Sequence, residues 1–425
     1  MPETDLAARL IAENFSRVDG VLHVGGHDLR ALAGTHGTPL FVYDACLMRR
    51  AYRALSEAVI GFATVDYSVK ANPDPAVIRV FREMGAGAEI ASGAEFEAAL
   101  RAGVLPQKIL FAGPGKSDAD IARTVGAGIG EIHLENREEA GRVAEAAGRH
   151  GVRARVAIRV NPGATAQGGA MRMGGKPSPF GFDEEDLDAA VDAIEADPRL
   201  DLVGLHLFAG TQGLVAATLL SQWAYGLRLA ARVAARIGRQ LDTIDLGGGL
   251  GIPYFAGDAP LDLDAIRAGI PALKAELAAD PGLAGARVVL EPGRYLTGPA
   301  GLYVARVRAV KVSRGSRFVI TDGGMHHHLA ASGNLGQIVK RDFPLAAVVD
   351  RGAGTAACAV VGPLCTPLDM LARAAPLPEL RAGDLVAVLQ SGAYGLTASP
   401  VGFLSHPRPA EILVDRGEAR RIGGV

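Results

Sequence analysis

The chain has 425 residues, of which 49% are hydrophobic and 21% charged, and its formal net charge is −2. This composition supports a large packed core and excludes general disorder. The balanced charge argues against a nucleic-acid binder or a basic membrane patch. Glycine is in excess at 55 residues, about 13% against a usual share of roughly 7%.

From residue 60 to residue 295 short apolar runs alternate with amphipathic helical patterns. The runs are 62–69, 88–91, 108–112, 130–134, 154–160, 201–207, 241–246 and 286–290. The helical patterns are 74–84, 94–102, 117–127, 136–149, 183–195, 215–238 and 262–279. Eight strand–helix repeats over about 235 residues predict a parallel (β/α)8 barrel rather than an open doubly wound sheet. After residue 300 the pattern turns strand-like, at 302–312, 317–321, 357–361, 385–389 and 411–414. A mainly β second domain is therefore expected. Residues 20–24 are a short strand candidate that can join its sheet. The expected division is a barrel over 38–295 and a β-domain from 1–37 plus 296–425. Trp223, in a long amphipathic helix, is expected in the core.

Three cysteines, Cys46, Cys358 and Cys365, cannot build a disulfide framework and point to a reducing cytoplasm. The start, MPETDLAARL, lacks the basic and apolar regions of a secretory signal. No run approaches the roughly 18 apolar residues of a membrane span. Only seven of the 44 basic residues are lysines, so each lysine is a candidate for a task that needs a primary amine.

In a barrel, function gathers at the C-terminal ends of the strands. Those ends carry Lys70, Ser92, Lys116, Glu135, Arg159, His206, Phe208, Thr211, the Gly247–Gly251 turn, Glu291, Gly293 and Arg294. An isolated triple glycine is more often a tight turn. With Arg294 at the next strand end it becomes a phosphate cradle of bare backbone N–H groups. It matches neither the NTPase loop nor the dinucleotide fingerprint. A lysine in a low-dielectric barrel mouth can lose its proton and form a Schiff base. Lysine, phosphate cradle and the Glu291 carboxylate are together the parts that pyridoxal 5'-phosphate needs.

Tyr67-Ser-Val-Lys70-Ala-Asn72, the 247–251 glycine turn, Glu291-Pro-Gly-Arg294, Gly362-Pro-Leu-Cys365 and Ser391-Gly-Ala-Tyr394 occur in the order found in one family. Over residues 35–415 the chain resembles the fold-type III pyridoxal-phosphate decarboxylases, which include the diaminopimelate and ornithine decarboxylases. The resemblance implies an alanine-racemase-like TIM barrel followed by a β-domain, in a homodimer with shared active sites. It implies Lys70 as the Schiff-base lysine, and Gly248, Gly249, Gly293, Thr211, Arg294 and Tyr394 around the phosphate. Glu291 would sit at the pyridine nitrogen, Phe208 against the ring, and Cys365 would reach the partner subunit's cofactor as proton donor. Arg159, His206, Thr366, Asp369 and His328 are the substrate-side candidates.

The departures bear on specificity. The acidic residue that follows the cysteine in these families, and that holds a distal amine, is Thr366. The Arg and Tyr that read a distal carboxylate in diaminopimelate enzymes are Ala330 and Asn334. Pro179 replaces a lysine, Phe208 replaces the stacking imidazole, and Phe403 and Leu404 replace Tyr and Asn. Losing a charged partner at a buried site costs several kcal/mol by order of magnitude, which disfavours free diaminopimelate, ornithine and lysine. The chain is similar to a subgroup of biosynthetic and exosortase-associated gene clusters, in which one relative acts on a glutamyl group carried by an acyl carrier protein. The expected activity is pyridoxal-phosphate-dependent α-decarboxylation of an amino acid or a carrier-tethered amino-acyl group. The rivals are diaminopimelate decarboxylation proper, an amino-acid racemase on the same fold, which Glu291 and Cys365 oppose, and a non-catalytic regulator. No metal is expected. The 326–328 histidines are read as strand residues on alternate faces, Lys116 and Glu135 as structural ion-pairing groups, and the glycine-rich loop 163–181 as a gate.

Overall fold

The computed structural model describes residues 5–163, 171–172, 177–352 and 354–423. These form two compact units, one drawn from Ala51–Ile252 and Pro260–Tyr295, the other from Met1–Arg50, Pro253–Ala259 and Leu296–Val425.

The first unit is a parallel barrel. In order round the sheet, its strands are Thr64–Val65, Arg287–Leu290, Thr243–Asp245, Leu200–Leu207, Ala154–Asn161, Glu131–Leu134, Ile109–Phe111, Ala88–Ile90 and Tyr67–Ser68. The two ends of that order are consecutive in the chain, separated by Asp66. One short segment therefore pairs with the last strand on one side and with the second on the other. All eight apolar runs are strands, and the helices between them follow their local signals. Asp74 caps Pro75–Glu83 by accepting from the N–H of Ala76 at 2.7 Å, with Pro75 at the first helical position. Ser117 and Asp120 form a reciprocal capping box on Asp118–Gly126. Gly151 and Gly238 end their helices in the left-handed conformation. Trp223 is 1% exposed, in helix Ala216–Ile237.

The second unit is mainly β. Its nine-stranded sheet runs Met370–Leu377, Ala356–Val361, Ser316–Thr321, Gly301–Ser313, Leu40–Asp44, Ala410–Asp415 and Glu418–Ile422, with Leu345–Ala347 and Leu385–Val388 attached through Gly301–Ser313. Leu40–Asp44 pairs antiparallel with 301–304 and parallel with 410–414. The barrel unit thus begins after residue 50, not at 38. Residues 21–24 do not join this sheet as strand members. They form a separate three-stranded sheet with Ser16–Val18 and His27–Asp28, bridged to the rest at Val21 and Val349. Leu22, Leu29, Val42, Val304, Val348, Ala387 and Ile412 share its core.

Candidate active site

Lys70 lies in a single 3-10 turn, Val69–Ala71, directly after Tyr67–Ser68. Its Nζ donates to both oxygens of Glu89, at 2.9 and 2.8 Å, and Ser68 Oγ donates to the same carboxylate at 2.6 Å. The Lys70 side chain is 44% exposed whereas Glu89 is 2% exposed, so the amine reaches outward from a buried anion. The Tyr67 hydroxyl, donating to the carbonyl of Asn72 at 2.9 Å, closes the turn. Glu95 faces the same pair. Burial pushes its carboxyl up to about 7, and the Glu89 charge adds to this, against the pull of the Ala91 N–H and of Lys70.

The glycine turn follows Thr243–Asp245. A Cβ at Gly248 would lie 2.2 Å from the carbonyl oxygen of Glu291, and one at Gly249, where φ is +87°, 2.3 Å from that of Gly210. A Cβ at Gly293 would lie 2.9 Å from Ala71. Only glycine permits this approach, and it gathers three chain segments around the Lys70 turn. Thr211 Oγ1 accepts from Arg294 Nη2 at 3.2 Å. The half-buried Phe208 ends strand Leu200–Leu207 beside Gly247.

Glu291 is 5% exposed, and its Oε1 has no hydrogen-bond partner among the described residues. His206 lies beneath the mouth, its Nε2 3.6 Å from Glu291 Oε2. Burial, with His133 and Arg159 nearby, holds its imidazole neutral, well below the usual histidine range. Arg159 is buried and bonded to Glu135 Oε1 at 2.6 Å. Glu135 also accepts from the N–H groups of Gly113 and Gly181. Burial works to raise its carboxyl, but Arg159 and Lys116 outweigh it and hold it low. Lys116 is fully buried on Glu139 at 3.0 Å and on the carbonyls of Gly113 and His133. Lys116 and Glu135 thus shape strand ends. A lysine amine seated on the buried Glu89, glycines at which a Cβ would clash, an arginine and a buried carboxylate with one oxygen unpartnered among the described residues fit pyridoxal phosphate. A cavity of about 530 Å³ lined by Gln107, Arg155, Asp242 and Arg287 opens at the opposite, N-terminal end of the strands, away from this chemistry.

The β unit places its candidates differently. Cys365 is exposed. Its turn is built on Asp369, which is 3% exposed and accepts from the N–H groups of Leu364 at 2.8 Å and Met325 at 2.6 Å. Burial raises the Asp369 carboxyl. Thr366 accepts from the N–H of Leu368 at 3.3 Å. Asp369 and Thr366 therefore both fold the cysteine turn. His328 is fully buried against Phe41, Tyr303 and Phe343, its Nε2 2.9 Å from Ser391 Oγ. Burial lowers its imidazole to about 3. It is a core residue rather than a free substrate contact. The 326–328 histidines lie in a turn, not a strand, with the N–H of His327 bonded to the carbonyl of Gly324, and all three are buried. Tyr394 is half-buried with φ +51°. Of the expected gate, residues 164–170 and 173–176 lie outside the described residues. The described pair Met171–Arg172 runs antiparallel to Gly210–Thr211.

Sequence reading did not single out Glu89, Glu95, Glu131, His133 or Asp245. Glu89 had a visible signal, as the one charged residue in the apolar run 88–91.

Residues 47–298 match the family model described as the pyridoxal-binding domain of pyridoxal-dependent decarboxylases. The chain is 38% identical over 399 residues to the L-glutamyl-[BtrI acyl-carrier protein] decarboxylase of Niallia circulans, covering 93% of each protein. It is 32% identical over 409 residues to the diaminopimelate decarboxylase of Aquifex aeolicus, covering 95% of this chain and 93% of that one. The structure of Helicobacter pylori diaminopimelate decarboxylase complexed with L-lysine superposes with a TM-score of 0.83 at 27% identity, covering 93% of this chain and 95% of that one. The chain belongs to the fold-type III pyridoxal-phosphate-dependent amino-acid decarboxylases, the family of the diaminopimelate and ornithine enzymes.

Proposed function

We propose that this enzyme removes the α-carboxylate from an amino-acyl substrate that presents no distal charge for recognition, with a glutamyl group on an acyl carrier protein as the leading candidate. The observation that carries this reading is the neutral side chain at each expected distal reader. Thr366 is engaged within its own turn. Asn334 binds Ser332, Leu368 and Lys340, and Ala330 offers nothing polar. The identity to a glutamyl-carrier decarboxylase supports the same substrate class. Free diaminopimelate is the second reading, supported by the relatives that bear that name.

Bound pyridoxal phosphate supplies the electron sink for the pair left on Cα when CO2 departs. Lys70 Nζ would hold the cofactor, and Glu89, in hydrogen-bond contact with that nitrogen, would take and return its proton. Glu291, whose Oε1 has no hydrogen-bond partner among the described residues, would hold the proton at the ring nitrogen. Gly248, Gly249, Gly293, Thr211 and Arg294 would hold the phosphate, Phe208 would face the ring, and the family resemblance assigns Tyr394 to the phosphate as well. Cys365 of the partner subunit delivers the proton that replaces CO2 at Cα, which makes the homodimer the working unit. The deciding experiment is mass spectrometry for loss of CO2 from free and carrier-tethered amino acids. Turnover of the tethered glutamyl group is expected. Efficient turnover of free diaminopimelate would overturn the specificity argument, and stereochemical inversion without CO2 loss would make the enzyme a racemase. A chain that binds no cofactor would be a regulator.

A further inference from the structure

No acidic residue lies between Glu291 and Asp322, whereas Arg306, Arg308, Lys311, Arg314 and Arg317 crowd one hairpin of the β unit. Strand Gly301–Ser313 is buried over most of 301–307, but residues 308–312 are exposed one after another. A strand packed on one face would alternate, so this arm projects beyond the core. Its partner is Ser316–Thr321, and Arg314–Gly315, at φ +51° and +81°, close the hairpin as a two-residue turn. Val310 and Val312 on the arm are 37% and 69% exposed.

Arg306 donates to Thr38 Oγ1 and to the carbonyl of Gly383, and Arg308 lies 3.6 Å from Asp322. Lys311, Arg314 and Arg317 form no ion pair among the described residues. The neighbouring strands add no negative charge. Ala356–Val361 is uncharged, and Met370–Leu377 carries Arg373 as its one charged residue, 3.3 Å from Asp342. The chain's net charge is −2, so the positive field here is local.

One sheet joins this hairpin to the cysteine turn. Ser316–Thr321 runs parallel to Ala356–Val361, which leads directly into Gly362-Pro-Leu-Cys365. Thr321 Oγ1 donates to the carbonyl of Val361 at 3.0 Å. The hairpin turn and the start of the cysteine turn therefore stand at opposite ends of these strands. Six residues separate them, which at the rise of a strand span about 20 Å.

We propose that this hairpin is the docking arm for an acidic acyl carrier protein. Lys311, Arg314 and Arg317 meet its carboxylates, Val310 and Val312 supply the apolar part of the contact, and the tethered group reaches along the sheet to the Cys365 turn. The proposal rests on the reading of a carrier-borne substrate. An acyl carrier bears its cargo on a long flexible arm, which separates the protein contact from the reacting atoms by a span of this kind. Charges remote from the reacting atoms steer encounter, and they do so less as salt rises.

The test compares two substrates of the purified holoenzyme: glutamate loaded on an acidic acyl carrier protein, and the glutamyl thioester of free pantetheine. For Lys311→Glu/Arg314→Glu the expected result is a KM raised about ten-fold or more on the carrier substrate, with kcat within about two-fold and unchanged kinetics on the pantetheine thioester. Added salt should raise the wild-type KM for the carrier and leave that of the double variant flat. Equal kinetics of wild type and variant on the carrier substrate would overturn the docking arm and leave the cations as protection of a free strand edge. Equal losses on both substrates, or a change in oligomeric mass, would overturn it as well, because the hairpin would then serve the fold or a contact between copies. A wild-type enzyme that releases CO2 from neither thioester would instead overturn the carrier reading, and this proposal with it.

Discussion

Lys70 and Glu89 form a two-point contact in which both carboxylate oxygens receive the same ammonium, at 2.9 and 2.8 Å. The anion is buried and also takes the Ser68 hydroxyl, while the amine projects to the open side. On the proposed reading the pair would act as a base set beneath the nucleophilic amine. Lys70→Ala is expected to abolish the visible absorbance of the bound cofactor and to lower CO2 release by at least about 1,000-fold. Glu89→Gln keeps one acceptor and should keep the band, while lowering kcat by about 10- to 100-fold. Absorbance and CO2 release measured on the same preparations separate the two roles. An unchanged spectrum in Lys70→Ala would remove that residue from the cofactor site.

The glycine turn predicts a steric effect confined to one position. Gly248→Ala drives a methyl to 2.2 Å from the carbonyl oxygen of Glu291, and the backbone shift needed to relieve this costs about 1–3 kcal/mol. Cofactor affinity should fall by about ten-fold or more, as measured by equilibrium dialysis. Gly141→Ala is the matched control. It sits in helix Arg137–His150 with nothing within 4 Å of the new methyl, so it should raise stability by about 0.5–1 kcal/mol and leave cofactor binding unchanged.

Glu95 predicts a pH dependence of stability. Its carboxyl is raised from 4.5 to about 7 in the folded protein, mainly by burial. The native state then binds more protons than the unfolded chain between those values, so this group's contribution is greatest below about 4.5 and is lost as pH rises to about 7. Glu95→Gln keeps an acceptor for the Ala91 N–H and removes the titration. The difference in stability between variant and wild type should move in the variant's favour from pH 4 to pH 8, by about 1 kcal/mol at this half-exposed site. Thermal melts at the two pH values measure it. A constant difference would place the ionisation elsewhere.

The exposed Cys365, on a turn shaped by Asp369, predicts complementation between subunits. Lys70→Ala and Cys365→Ala homodimers should each be nearly inactive. Mixing them under conditions of subunit exchange should restore about a quarter of wild-type activity, the share expected when one of the two sites in each of half the dimers is intact. Mass-labelled subunits verify exchange. Exchange without recovered activity would place Cys365 outside a shared site.

Much of the barrel was legible because its signals are local. Strand and helix periods, Asp74 with Pro75, the Ser117–Asp120 box and Gly151 all act within a few residues. Lys70 stood out because lysine is scarce in an arginine-rich chain. What the sequence concealed depends on long-range pairing. Leu40–Asp44 lies between strands from beyond residue 300, and no nearby residue signals that placement. Glu418–Ile422 reads as charged because it is a sheet-edge strand. Met370–Leu377 mixes helix formers with Pro376. The approach of His133 to Asp245 was hidden for the same reason: the two are far apart in the chain, and their proximity exists only once the barrel has formed. His328, by contrast, carried a site-like motif and proved to be packing.

The segment around Asp66 has a further consequence. Thr64–Val65 and Tyr67–Ser68 hold the two edges of the sheet, and Lys70 follows in the next turn. Asp66 pins this seam by accepting from the N–H of Gly87 at 2.7 Å and from Arg287 at 3.3 Å. A nascent chain therefore cannot present its amine in the finished site until the last strand has docked beside the first. A product lacking Arg287–Leu290 would leave that seam open beside Lys70.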